Sequence, residues 1–161
     1  MVSFTLFVCS VIFTFIHLTR TKQWFYPKSL ETLIAYLLLF NMGIMGVLAA
    51  FAHVFMGPET AKMIGWASGS PFQYEIGMAN LSYGVLGILC FWIRGRFWDA
   101  SVIGWSVLLL GCFAGHIINY YIDQNSAPYN IGPPIWFYDL FLPLGILSLL
   151  FYLRTSKYMS E

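Results

Sequence analysis

Charge is what this sequence has least of. Asp, Glu, Lys and Arg together make up 9% of its 161 residues, against about 25% in an ordinary soluble domain. So few charges cannot cover a surface that faces water, which excludes a soluble globular architecture. The formal net charge is +1, and no basic stripe is available to neutralise phosphates, so nucleic acid is not an expected partner. Cysteine is scarce too. Cys9, Cys90 and Cys112 all lie in apolar runs and form no C-x-x-C pair, which argues against a disulfide framework or a zinc knuckle. They read as small buried apolar side chains. There is no C-x-x-C-H for covalent haem, no serine nucleophile elbow, no zincin helix motif and no phosphate loop. The start of the chain lacks a basic segment and a small-residue cleavage site, so its first apolar run is expected to remain as a span.

What is present in abundance is hydrocarbon. Hydrophobic residues reach 59% and the mean hydropathy is +0.72. A bilayer core needs about 20 apolar residues per helix. Five segments approach or meet that length, at residues 2–18, 33–56, 71–93, 100–122 and 135–153. The expected fold is all-α, a transmembrane helical bundle of five spans forming a single domain over residues 1–161. No internal repeat or low-complexity stretch is visible.

Basic residues set the expected direction. Arg20, Lys22 and Lys28 follow span one, Arg94 and Arg96 follow span three, and Arg154 and Lys157 follow span five. Only Lys62 falls on the other side. Positive loops stay cytoplasmic, which places the N-terminus outside and the C-terminus in the cytoplasm. Aromatic clusters at the span ends (Trp24, Phe25, Tyr26, Trp92 and Trp98 at one level, Trp66, Tyr120, Tyr121 and Trp136 at the other) fit the headgroup belts.

Local signals refine this. Ser70-Pro71-Phe72-Gln73 reads as an N-cap, a first-position proline and a capping-box Gln, so helix three is expected to begin at Pro71. Residues 57–69 suggest a short helix lying in the interface. Residues 123–134, with three prolines, suggest a non-helical outer cap. Gly43, Gly46 and Ala50, then Gly84 and Gly87, then the Gly111–Gly115 pair, offer small-residue faces. They predict close packing of spans two, three and four, or alternatively a dimer seam.

Ionisable residues inside spans are costly and mark function by default. Four stand at similar depth in the outer part of the membrane: His53, Glu75, His116 and Asp139. Each comes from a different helix. Asn80 and Asn119 lie nearby, and Pro143 removes the amide that would bond the Asp139 carbonyl. Each residue also has a plainer reading. His53 suits an interface, Glu75 and Asp139 suit positive helix ends, and Asn41 suits an interhelical hydrogen bond.

The block Ile64-Gly65-Trp66, Ser70-Pro71-Phe72-Gln73, Glu75, Gly77, Ala79-Asn80-Leu81 and Gly84, with Leu110-Gly111 and Gly115-His116, resembles a family of small uncharacterised bacterial membrane proteins with four or five spans. The similarity runs over roughly residues 61–154. It implies topology and placement in the bacterial inner membrane, and no activity.

Four functions remain open on these residues. The first is an outward-facing intramembrane pocket, with His53, Glu75, His116 and Asp139 as ligands to a transition metal or as contacts to a small molecule that Asn80 and Asn119 orient. The second is an accessory subunit of a larger membrane complex. The third is non-covalent haem held by His53 and His116. The fourth is a membrane enzyme with Glu75 and His116 as an acid–base pair. Expected partners are membrane lipids and a second copy or a larger complex.

Overall fold

The computed structural model describes residues 2–158, with side chains to Ser156. It is helical, and no strand occurs among the described residues. Helix α1 is Val2–Thr21. One long helix then covers Lys28–Phe55, built from α2 (Lys28–Leu37), a π-helical stretch (Leu38–Ile44) and α3 (Met45–Phe55). The short α4 (Gly57–Ile64) precedes α5 (Phe72–Leu89) and the long α6 (Arg96–Asp123). Two single turns, α7 (Pro128–Ile131) and α8 (Pro133–Ile135), lead through a second π-helical stretch (Trp136–Phe141) into α9 (Leu142–Tyr158).

Four helices are long and apolar enough to cross a bilayer: Val2–Thr21, Lys28–Phe55, Arg96–Asp123 and Pro128–Ser156. The expected third span, α5, is not among them. Its 18 residues include Gln73, Glu75 and Asn80 near the start, and these dilute its apolar character. The expected non-helical cap at 123–134 is irregular only in part, at residues 124–127. Its prolines sit at first-turn positions, where a missing N–H costs nothing, so they start helical turns.

Helix α5 begins at Phe72, one residue later than the sequence suggests. Ser70 Oγ accepts from the Phe72 amide at 3.2 Å. Gln73 does not close a capping box. It is buried and its Oε1 lies 2.7 Å from His53 Nδ1. Helix α4 ends on Gly65 at φ +81°, a left-handed conformation that suits glycine.

The packing is uneven. Ile34, Leu38 and Met42 from the long second helix meet Trp98, Val102, Trp105 and Leu109 from α6 and Ile146, Leu150 and Leu153 from α9 in one continuous core. Near the other end, α3 and the π-helical stretch before it lie directly on α5. A Cβ added at Gly46 would stand 2.8 Å from Gly84 Cα, and one at Gly43 would stand 2.9 Å from the Ile88 amide nitrogen. These glycines make the close approach that small residues allow. The Gly111–Gly115 pair does not. Nothing lies within 4 Å of a Cβ placed at either, so the expected packing of span four against spans two and three fails at this level.

Both π-helical stretches face the interior. Asn41 in the first is fully buried and donates to Ser10 Oγ of α1 at 2.8 Å. Tyr138 in the second donates its hydroxyl to the Asn41 carbonyl at 3.2 Å. The second stretch lies just before Pro143. Without an amide at 143 the Asp139 carbonyl loses its α-helical partner, and the Leu142 amide reaches back five residues to Phe137. The widened turn accommodates one extra residue.

Candidate functional site: a cavity between two helix pairs

Where α6 stands away from α3 and α5, a cavity of about 800 Å³ remains. Helices α3 and α5 form one wall, and α6 with the second π-helical stretch forms the other. Helices α4 and α7 and the loop carrying Trp66 close one end. The walls are mostly apolar, with Met45, Ala49, Ile76, Leu108 and Ile135 among them.

Five of the six residues picked out in the sequence line this single space: His53, Asn80, His116, Asn119 and Asp139. The sixth, Glu75, does not. It is exposed. The reason is helical phase. Gln73, Gly77, Gly84 and Gly87 form the buried face of α5, and Glu75 lies about 200° around the helix from Gln73 at 3.6 residues per turn. Similar depth is therefore not convergence. The expected Glu75–His116 pair is not formed, and the four-residue ligand set loses one carboxylate. Among the described residues no group of three or more His, Cys, Asp or Glu side chains is placed to hold a metal ion.

The carboxylate beside His116 is Asp139 instead, with Nε2 and Oδ2 3.9 Å apart. Both side chains are less than a tenth exposed. The other ring nitrogen, Nδ1, lies 2.8 Å from Asn130 Oδ1. Asn130 is fully buried, and its amide donates to the Asn125 carbonyl at 2.8 Å and to the His116 carbonyl at 3.3 Å. With both amide hydrogens donated, Oδ1 is left as acceptor, and His116 Nδ1 must carry the hydrogen. The indole of Trp66 stacks on the imidazole at 5.6 Å and 15°.

Around this pair runs a polar cap. Trp66 Nε1 donates to Asn119 Oδ1 at 3.2 Å, and Asn125 Nδ2 donates to the same oxygen at 2.7 Å. Asn125 Nδ2 also reaches the Ile64 carbonyl at 2.9 Å, which ties the last turn of α4 to the loop after α6. Asn119 Nδ2 donates to Asp123 Oδ2 at 2.5 Å. Asn119 thus holds the cap together as well as facing the cavity. Asn80 is turned partly to its own helix and donates to the Ile76 carbonyl at 2.8 Å.

For an axial haem pair, both His53 and His116 reach the cavity, yet His116 Nε2 faces the Asp139 carboxylate at 3.9 Å and the ring is covered by Trp66. The sequence did not mark Asn130 or Asn125, it offered Gln73 as a capping-box residue, and it placed Trp66 in an interfacial belt. A buried Asn inside a Pro-rich loop carries no periodic signal, so position alone could not mark it.

These features define a class: an all-helical bundle, with four helices fit to cross a bilayer, that keeps a largely apolar cavity with a polar cluster at one end. Over residues 1–158 the chain belongs to DUF6790, a family of unknown function. No curated protein and no solved structure matches it.

Proposed function

We propose that this chain is a five-crossing integral protein of the bacterial inner membrane that binds a small amphipathic organic ligand in its outward-facing cavity. Four crossings follow from length and apolarity. The fifth is α5. Its 18 residues extend about 27 Å at 1.5 Å per residue, close to the roughly 30 Å of a bilayer core. Gln73 is shielded by His53, and Asn80 is bonded within its own helix. With five crossings, Lys22, Lys28, Arg94, Arg96 and Arg154 share one side, which the positive-inside rule makes cytoplasmic. The cavity then lies in the outer part of the membrane.

One observation carries the binding reading. A cavity of about 800 Å³ falls within the range of small-molecule sites, which join apolar walls to a few convergent polar groups. Here those groups are His116, Asp139, Asn119 and His53.

Cys112 supplies the test, because it lines the cavity. In a Cys9→Ser, Cys90→Ser background, a membrane-permeant maleimide should label Cys112, and amphipathic small molecules should slow that labelling. A labelling rate that no amphiphile alters would reject the binding site and favour the accessory-subunit reading.

A further inference from the structure

We infer that the polar end of the cavity receives a lipophilic amine, its protonated nitrogen seated between His116 Nε2 and Asp139 Oδ2, admitted from the bilayer through the opening between α5 and α6. This rests on the binding reading above and names its ligand class.

The hydrogen-bond inventory comes first. Asn130 obliges His116 Nδ1 to carry the hydrogen, so Nε2 of the neutral ring is an acceptor. Across from it stands Asp139 Oδ2, an acceptor when ionised. Their 3.9 Å separation is too long for a direct hydrogen bond. Two facing acceptors this deeply buried are stabilised by a donor that reaches both. A primary ammonium has hydrogens for both and a charge opposite to the carboxylate. A hydroxyl has one hydrogen and no charge, and a phosphate would face Asp139 with like charge.

The lining agrees. Among the described residues bordering the cavity, Asp139 is the sole carboxylate, and no Lys or Arg is present. Trp66, stacked on His116, brings an aromatic ring to the same end, Tyr129 and Tyr138 also border the cavity, and aromatic faces attract organic cations.

The way in is also built. Helices α5 and α6 touch near their connecting turn, where Trp98 Nε1 donates to the Cys90 carbonyl at 2.7 Å. A further close contact is at Gly104, whose Cβ would lie 2.8 Å from the Tyr83 hydroxyl. Beyond it Val107 is 68% exposed, and the positions of Gly111 and Gly115 open onto free space. From Gly104 to Gly115 this gap runs about 16 Å along α6. In the proposed topology it faces lipid, where an alkyl amine concentrates because its chain is apolar.

The test uses the full chain in nanodiscs of zwitterionic lipid, in the Cys9→Ser, Cys90→Ser background. Dodecylamine, dodecanol and dodecyl phosphate are compared by the concentration that halves maleimide labelling of Cys112. Dodecylamine should protect at a concentration about tenfold lower than dodecanol, since its hydrogen bonds are charge-assisted. Asp139→Asn should erase that preference, and Asp139→Glu should keep it. Equal protection by amine and alcohol, better protection by the phosphate, or a preference that survives Asp139→Asn would overturn the amine assignment and leave the binding reading standing. Protection by none of the three would overturn both. If Asp139→Asn does not fold, the three-way comparison on Asp139-containing protein decides alone.

Discussion

Asn130 fixes the tautomer of His116 across 2.8 Å, from a one-turn helix fourteen residues further along the chain. The same side chain anchors the loop between α6 and α7 through the Asn125 carbonyl. Asn130→Ala removes all of these bonds at a fully buried position and leaves several partners unsatisfied. The expected loss is about 1–3 kcal/mol, read as a lower midpoint of thermal unfolding in detergent. Asn130→Asp keeps the acceptor for His116 but sets a carboxylate oxygen against the Asn125 and His116 carbonyls, so it should lose at least as much.

The small-residue faces should separate into two behaviours. Gly46→Ala places a methyl 2.8 Å from Gly84 Cα. Backbone atoms cannot swing aside, so α3 and α5 must move apart, at a cost of about 1–3 kcal/mol. Gly111→Ala meets nothing within 4 Å and removes a helix-interior glycine, which favours the helix by about 0.5–1 kcal/mol. Unfolding midpoints of the two variants should therefore move in opposite directions. A destabilised Gly111→Ala would mean that α6 packs against something at this face.

Trp66 covers one face of His116 and donates to Asn119. Trp66→Phe keeps the stacking surface and gives up the hydrogen bond. Trp66→Ala opens the capped end of the cavity. Labelling of Cys112 by a bulky polar maleimide should rise only slightly in the first variant and several-fold in the second. Equal rates in all three proteins would show that reagent reaches Cys112 by the lateral gap alone.

The fifth crossing has a direct readout. Ser68 and Arg96, both exposed, flank α5. In otherwise cysteine-free protein, Ser68→Cys should react with an impermeant reagent on intact cells, and Arg96→Cys only after the membrane is opened. Both reacting from one side would mean that α5 does not cross.

Tyr138→Phe tests the link between the two π-helical stretches. The lost hydroxyl bonds the Asn41 carbonyl, and its removal should cost about 0.5–1.5 kcal/mol. The same measurement on Ser10→Ala, which removes one of two acceptors for Asn41 Nδ2 and leaves the Leu37 carbonyl, should give a loss of similar size.

Helix content and the long apolar spans were legible because hydropathy is a sum over neighbouring residues and needs no knowledge of the fold. The same summation explains the weakness at α5. Its average is lowered by Gln73, Glu75 and Asn80, and only their contacts show that two of the three are accommodated against protein. The depth argument placed His53, His116 and Asp139 at one level, and all three line the cavity, because rise per residue is fixed by the helix. It misassigned Glu75, because direction around α5 depends on which face that helix turns to α3.

By itself the sequence determined a helical chain with runs long and apolar enough to cross a bilayer and the level at which its ionisable groups sit along those helices, since both follow from local composition and helix rise. Only the tertiary structure decided which small-residue faces close and which stay open, and that His116 meets Asp139 and Asn130. Those outcomes depend on the rotation of each helix about its axis, and that rotation is set by all its neighbours together.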